Sequence, residues 1–267
     1  MKLKDIIYSI VPAEKRGRIK SSFDIVGDIA ILELEEEIRP YMQQIAQQLL
    51  AAHKPIAVVV RKASQHEGEL RIQTYEWLAG ENRTETIAKE NGIELFLDIN
   101  KTYYSIRSQN ERLRIARLVD TEERIAVLFS GVGPYTILLA KHTPAREVIG
   151  IELNKDASAY EQKNIHRNKL TNAHSFTGDA RVLLPTLGLF TRIIMPLPHT
   201  AEEFLDIAYS ATTEQATIHL YCFSTEEEIE EKAKHIAKTY SCTYSIHRCG
   251  SYNPAVHRYC IDLTKHR

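Results

Sequence analysis

No two cysteines in this chain are spaced as CxxC, and all four (Cys222, Cys242, Cys249 and Cys260) fall in its last fifth. That spacing argues against a zinc knuckle or any other metal centre and reads as reduced thiols, as in a cytoplasmic protein. No apolar run is long enough for a membrane helix, and no signal peptide is visible, so no membrane partner is expected. Charge of one sign is lacking too: 34 basic residues face 35 acidic ones, a formal net charge of −1. A global cationic field for nucleic acid is thereby excluded, and any RNA contact has to be a local patch. Internal repeats and low-complexity tracts are absent. So is the GxGxxG fingerprint of dinucleotide sites.

What is present suits two unequal domains in 267 residues, 43% of them hydrophobic. Residues 1–20 hold six basic and two acidic side chains and read as a short N-terminal arm. Residues 21–105 read as a small α+β domain. Strand patterns run over 29–34, 56–61, 69–75 and 93–99, a helical pattern over 41–52, and Glu90-Asn91-Gly92 forms a turn. A basic helix over 110–119 leads into the third segment, 106–267. There, strands at 125–129, 147–152, 174–177, 192–195 and 217–223 alternate with helical stretches at 135–141, 155–169, 201–208 and 226–238. That alternation marks βα units on a parallel sheet, closed by antiparallel strands at 244–248 and 257–263. The fold class is α/β: a Rossmann-like domain preceded by the small α+β domain.

The richest segment is Leu128-Phe129-Ser130-Gly131-Val132-Gly133-Pro134-Tyr135, an apolar strand running into a small-residue turn and then a helix. Glycine lets backbone N–H groups approach a ligand closely. The next strand ends in Glu152, placed to accept both ribose hydroxyls of an adenosine, with Leu153 beside it. The third ends at Gly178-Asp179-Ala180, where Asp179 can accept from an adenine amino group. Glu152 and Asp179 also suit ordinary helix N-caps, and the glycines suit a plain turn. Without a third glycine the pattern favours S-adenosylmethionine, which has no pyrophosphate to cradle, over NAD(P).

On these residues the chain resembles the archaeal and eukaryotic tRNA guanine-37 N1-methyltransferases, the Trm-five family. The resemblance runs from about Phe23 to Leu263. It is carried by Phe23-Asp24-Ile25-Val26-Gly27-Asp28, Gly68-Glu69-Leu70-Arg71, Tyr103-Tyr104-Ser105-Ile106-Arg107, Asn110-Glu111-Arg112, Phe129-Ser130-Gly131-Val132-Gly133-Pro134, Gly150-Ile151-Glu152 and Met195-Pro196-Leu197-Pro198. It implies a class I S-adenosylmethionine-dependent methyltransferase domain behind an RNA-contacting domain, acting as a monomer on the anticodon loop and stem of tRNA. Many family members carry a further N-terminal domain. With about twenty residues before Phe23, this chain reads as a short form lacking it. The resemblance places the cofactor against Arg112, Phe129, Gly131, Val132, Gly133, Pro134, Glu152, Leu153, Asp179, Ala180, Pro196 and Pro198. Two departures stand out: Val127 where the family has Asp, and Pro196 where it often has Asn.

Guanine N1 carries a proton, so its methylation needs a base, and charge develops on O6 as the proton leaves. The resemblance gives Glu111 as the base, Arg71 as the O6 stabiliser and Tyr103 as a neighbour of the extruded base. Glu111 is the only acid between Asp98 and Asp120. A pairing with Arg107 at i−4 is expected on a helix, and a solvated ion-pair helix is the plain alternative. Lys101, Arg107 and Arg114 suit phosphate contacts. Two other readings stay open: a wyosine-pathway transferase at position 37, moving an aminocarboxypropyl group or methylating a wyosine intermediate, and a non-catalytic RNA-binding module.

Overall fold

A computed structural model describes residues 2–16, 22–64, 73–197 and 200–266. It comprises two compact units, Met1–Lys89 with Glu94–Ile106, and Glu90–Ile93 with Arg107–Arg267.

Unit 1 begins with a helix, α1 (Leu3–Ile10), where the sequence reading expected an arm. Leu3, Ile6, Ile7 and Ile10 recur at helical spacing, and the first three are buried, as is Val11. The basic residues around this stripe disguised it. α1 shares one apolar core with α2 (Arg39–Ala52), which inserts Met42, Ile45, Ala46 and Leu49. That core covers a sheet in the order β1 (Phe23–Val26), β2 (Ile29–Leu32), β3 (Val58–Lys62), β4 (Tyr75–Gly80). β2 and β3 run parallel, so the chain needs a crossover, and α2 provides it. Of the strand expected over 69–75, only Tyr75 belongs to β4; residues 65–72 lie outside the described residues.

A separate hairpin pairs β5 (Glu85–Glu90) with β6 (Ile93–Asp98). Asn91 and Gly92 both take positive φ, 45° and 77°, as a two-residue hairpin turn demands. β5 escaped the sequence reading because its inward residues, Thr86, Ala88 and Glu90, are not strongly apolar. Asp28 ties the β1–β2 turn to β5. It accepts from Thr86 Oγ1 at 2.7 Å and takes a fork from Arg83, whose hydrogen bond holds the carboxyl below its usual range. Gly27 has φ +59°, and a Cβ there would lie 2.1 Å from Thr86 Oγ1. The Gly27-Asp28 pair is therefore a tight-contact position.

Unit 2 runs α3 (Gln109–Ala116), β7 (Arg124–Leu128), α4 (Pro134–His142), β8 (Glu147–Glu152), α5 (Lys155–Arg167), β9 (Ala173–Thr177), α6 (Ala180–Leu183), β10 (Phe190–Met195), α7 (Leu205–Ser210), β11 (Thr212–Ser224), α8 (Ile229–Thr239), β12 (Cys242–Ser251) and β13 (His257–Lys265). One seven-stranded sheet carries it, in the order β12-β13-β11-β10-β7-β8-β9. The five strands β9, β8, β7, β10 and β11 are parallel, and β13 and β12 are antiparallel. Expected element ends move by a few residues, most at β11, which starts at Thr212 rather than 217. From β7 the chain winds one way to β8 and β9, then returns to lay β10 on the other side of β7. That reversal opens a crevice at the carboxyl ends of β7 and β10, the usual ligand position in such sheets. No helix among the described residues is long and apolar enough to cross a membrane.

The placement of α1 is testable. Ile6 is fully buried and Tyr8 is 45% exposed. Ile6→Ala should cost roughly 3 kcal/mol in urea unfolding, and Tyr8→Ala under about 1 kcal/mol. Equally small losses would return residues 3–10 to a peripheral arm.

Candidate active site

β7 stops at Leu128, and the turn that follows twists hard. Phe129, Gly131 and Gly133 have φ of 55°, 60° and 86°. For Phe129 this left-handed conformation is strained, and its ring is held edge-on to Phe204 at 4.8 Å between centroids. Ser130 N–H donates to the Ile151 carbonyl on β8. Gly133 caps α4, with Pro134 at the first helical position, where a missing N–H does no harm. Val132 is fully buried beneath the turn.

The turn rests on a buried carboxylate that sequence reasoning missed. Glu161, on α5, is completely inaccessible. It accepts from Ser130 Oγ (2.7 Å), Thr136 Oγ1 (2.6 Å) and Ser175 Oγ (2.6 Å). No cation is among these partners. Three residues on, the Asn164 amide donates to the Val132 carbonyl at 2.9 Å. A Cβ on Gly133 would lie 2.7 Å from Glu161 Cγ, and one on Gly150 would lie 2.2 Å from its Oε1. Gly150 is therefore glycine because Glu161 lies against it. The available signal was polar Ser158, Glu161 and Asn164 sharing the buried stripe of α5 with Ala157 and Ile165.

Glu152 ends β8. Its Oε2 accepts from Gly131 N–H at 2.7 Å and its Oε1 from Asn154 N–H at 2.8 Å, while burial raises its carboxyl. Two main-chain donors orient it and leave lone pairs over. The next residue, Leu153, is 40% exposed, an apolar surface at a strand end. Asp179 acts here as the N-cap of α6, accepting from Arg181 N–H at 2.8 Å, with Ala180 buried behind it. Pro196 and Leu197 follow β10, half-buried; Pro198 lies outside the described residues. Val127 sits in the sheet between Gly150 and Ile194, fully buried, so no carboxylate projects from that point of β7. Left-handed turn, oriented carboxylate, exposed leucine and capping aspartate together offer the polar acceptors and apolar surface that an adenosine needs.

α3 supplies the second cluster. Glu111 is only 7% exposed, which removes the solvated-helix alternative. Its partner is Arg114 at i+3 rather than Arg107 at i−4. Arg114 Nε donates to Oε2 at 2.9 Å and Nη2 to Oε1 at 2.8 Å. Tyr221 O–H, from β11, donates to Oε1 at 2.7 Å and lies 2.9 Å from the Tyr135 hydroxyl. Tyr221 has committed its proton to Glu111, so Tyr135 donates to Tyr221. Burial pushes the Tyr221 hydroxyl well above its usual range.

Two arginines point elsewhere than the sequence reading expected. Arg112, read as a cofactor contact, is 2% exposed and forks onto the buried Glu90 carboxylate at 2.6 and 2.5 Å, its guanidinium 5.9 Å from the Tyr135 ring centre. Arg114, read as a phosphate contact, bridges Glu111 and Asp262 instead, with Nη1 donating to Asp262 Oδ2 at 2.6 Å. Its guanidinium is committed to these two carboxylates, with the side chain 23% exposed. Lys101 and Arg107 are exposed, and Tyr103 is 37% exposed. Arg71 and the rest of Gly68-Glu69-Leu70-Arg71 lie outside the described residues.

Five parallel strands reversing at a glycine turn, with a carboxylate on the adjoining strand end, define a Rossmann-like methyltransferase fold. The chain belongs to the TRM5/TYW2 family: residues 86–246 match the TRM5/TYW2 methyltransferase domain and residues 3–84 the TYW2 N-terminal domain. The tRNA (guanine(37)-N(1))-methyltransferase Trm5b of Pyrococcus abyssi is 41% identical over 81% of this chain, which spans 64% of that relative's length. The tRNA 4-demethylwyosine(37)-methyltransferase Taw21 of Saccharolobus solfataricus is 32% identical over 90% of this chain and 92% of its own. A solved complex of aTrm5 and tRNALeu superposes with a TM-score of 0.87 at 32% identity, covering 99% of this chain and 78% of that one.

Glu161 makes stability depend on pH. Burial lifts its carboxyl to about 7. The folded protein therefore holds a proton that the unfolded chain releases above about 4.3. The contribution of Glu161 to stability is full below that value and is lost as the pH rises to about 7, a loss of roughly 3 kcal/mol. Glu161→Gln should remove this component, so the wild-type-minus-variant difference in urea unfolding should change between pH 4.5 and 7.5. A constant difference would show Glu161 to be ionised throughout.

Proposed function

We propose that this protein is an S-adenosylmethionine-dependent methyltransferase acting on N1 of guanosine 37 in tRNA. One observation carries the reading. Glu111 is buried and held by three hydrogen bonds, two at Oε1 and one at Oε2, which leaves Oε2 with an uncommitted lone pair among the described residues. A base needs that arrangement: a fixed carboxylate with one free acceptor direction.

When bound, the cofactor supplies a methyl group activated by its sulfonium. Glu152 would hold the ribose hydroxyls, Leu153 and Asp179 the adenine, and the main chain of Phe129–Pro134 the rest, with Ala180 behind and Pro196 and Pro198 beside. The chain's own step is proton removal. Glu111 Oε2 takes the N1 proton, the N1 lone pair is freed to form the N–CH3 bond as the methyl–sulfur bond breaks and its electron pair returns to sulfur, and the carboxylate becomes neutral. Arg71 would stabilise the charge that develops on O6, Tyr103 would flank the base, and Lys101 and Arg107 would meet anticodon-stem phosphates. Arg112, locked onto Glu90, would stiffen α3 rather than contact the methionine carboxylate.

A second reading keeps the transfer and changes the acceptor to a wyosine intermediate at position 37. The similarity to Taw21, together with Val127 and Pro196 where the family has Asp and often Asn, favours it. Incubation with labelled S-adenosylmethionine and unmodified tRNA carrying G37, then nuclease digestion and mass spectrometry, separates the two. 1-Methylguanosine is the expected product. Methylation confined to 4-demethylwyosine tRNA, or an aminocarboxypropyl mass, would overturn the first reading. Glu111→Gln should leave S-adenosylmethionine affinity within about twofold and lower methyl transfer at least about a hundredfold; unchanged turnover would remove Glu111 from the role of base.

A further inference from the structure

A line of polar side chains crosses the core of unit 2 and ends on Glu111. Arg192, on β10, forks onto Glu123 at 2.7 Å through both Nε and Nη2, and its Nη1 donates to His219 Nε2 at 2.7 Å. An arginine can only donate, so His219 Nε2 is an acceptor and the ring proton is on Nδ1. That Nδ1–H donates to Asp262 Oδ1 at 2.6 Å. Burial lowers the imidazole, consistent with a neutral ring. Asp262 also accepts from Cys260 Sγ at 3.1 Å and from Arg114, and Arg114 in turn forks onto Glu111.

His219, Cys260 and Asp262 place their donor atoms within 4.8 Å of one another, the geometry of a small metal site. The flanking groups argue otherwise. Arg192 occupies His219 Nε2 and Arg114 occupies Asp262, so a dication would face two guanidiniums. The cluster is a satisfied chain of hydrogen bonds. It sets two carboxylates, Glu123 and Asp262, against two guanidiniums, so the charges beside the proposed base, Glu111, sum to zero.

We propose that Asp262 is a positioning residue for Glu111: by sharing the Arg114 guanidinium it fixes the carboxylate's orientation and limits how strongly that cation weakens it as a base. The inference rests on Glu111 acting as base. Were Arg114 to serve Glu111 alone, the full guanidinium charge would favour the ionised carboxylate, and the proton from N1 would be taken up less readily. With Asp262 in place, the like charge on the far side of Arg114 opposes that effect. Tyr221 completes the alignment from β11. The other ionisable groups facing this centre are His247 on β12, with Nε2 3.3 Å from Asp262 Oδ2; Cys249, also on β12; Cys260 and Arg258 on β13; and Tyr135 on α4.

The test is the pH–rate profile of single-turnover methyl transfer on G37 tRNA. Asp262→Asn should move the acid limb to lower pH by about one unit and lower the plateau rate about three- to tenfold, with S-adenosylmethionine affinity unchanged. Asp262→Glu should restore much of both. An acid limb and plateau like the wild type in Asp262→Asn would overturn the proposal. If that variant does not fold, Arg114→Lys decides. A lysine keeps the charge but cannot fork onto both carboxylates, so a loss of about tenfold or more is expected, and wild-type rates would overturn the proposal. Glu111→Gln in the same assay keeps the two failures apart. An active Glu111→Gln removes the base assignment itself, whereas an inactive one beside an unshifted Asp262→Asn removes only the role of Asp262.

Discussion

The ligand end of unit 2 depends on one carboxylate that meets no counter-cation among the described residues. Glu161 accepts hydroxyl protons from the glycine turn, from α4 and from β9, and lies against the Cα of Gly150 on β8. Three segments donate to its two oxygens, and a fourth, β8, packs against them. A buried carboxylate in this setting carries a large desolvation cost, offset here by three hydrogen bonds and by a raised affinity for its own proton. In exchange the turn has one permitted shape. Gly131 N–H then points at Glu152, and the Val132 carbonyl is tied to Asn164. A ligand arriving at the crevice meets main-chain groups already in place, which reduces the ordering cost of binding.

The end that carries the proposed base is built on the opposite principle. Glu111 is surrounded by charges that nearly cancel, from Glu123 through Arg192, His219, Asp262 and Arg114. The two ends are joined by the Tyr135–Tyr221 hydroxyl pair, since Tyr135 belongs to the helix that the glycine turn starts and Tyr221 donates to Glu111. Shape at the turn and orientation at the carboxylate are therefore not independent: hydrogen bonds of 2.9 and 2.7 Å couple them, and the Arg112 guanidinium over the Tyr135 ring adds a second contact between α3 and α4.

Much of the fold was legible because parallel strands buried on both faces leave apolar runs, and the glycine turn between β7 and α4 is a local signal. Glu152 was legible for the same reason, standing at a strand end beside that turn. What the sequence concealed is of three kinds. α1 has a clear apolar stripe, but its surrounding lysines and arginines suggested a charged arm. Glu161 gives no motif, because its role comes from elements brought together only by the fold. Arg112 was read from the family resemblance and Arg114 from the charge of its neighbourhood, and neither says which way a side chain faces; Glu90 and Asp262, distant in sequence, decide that.

Arg114 and Asp262 stand 148 residues apart in the chain. A helix of eight residues cannot by itself hold Glu111 in a single orientation, and contacts of such long sequence separation are slow to close and early to open. The orientation of Glu111 therefore depends on the pairing of β13 with β11, which brings Asp262 to Arg114. A probe of the Arg114–Asp262 contact would therefore report the docking of β13 rather than the local folding of α3.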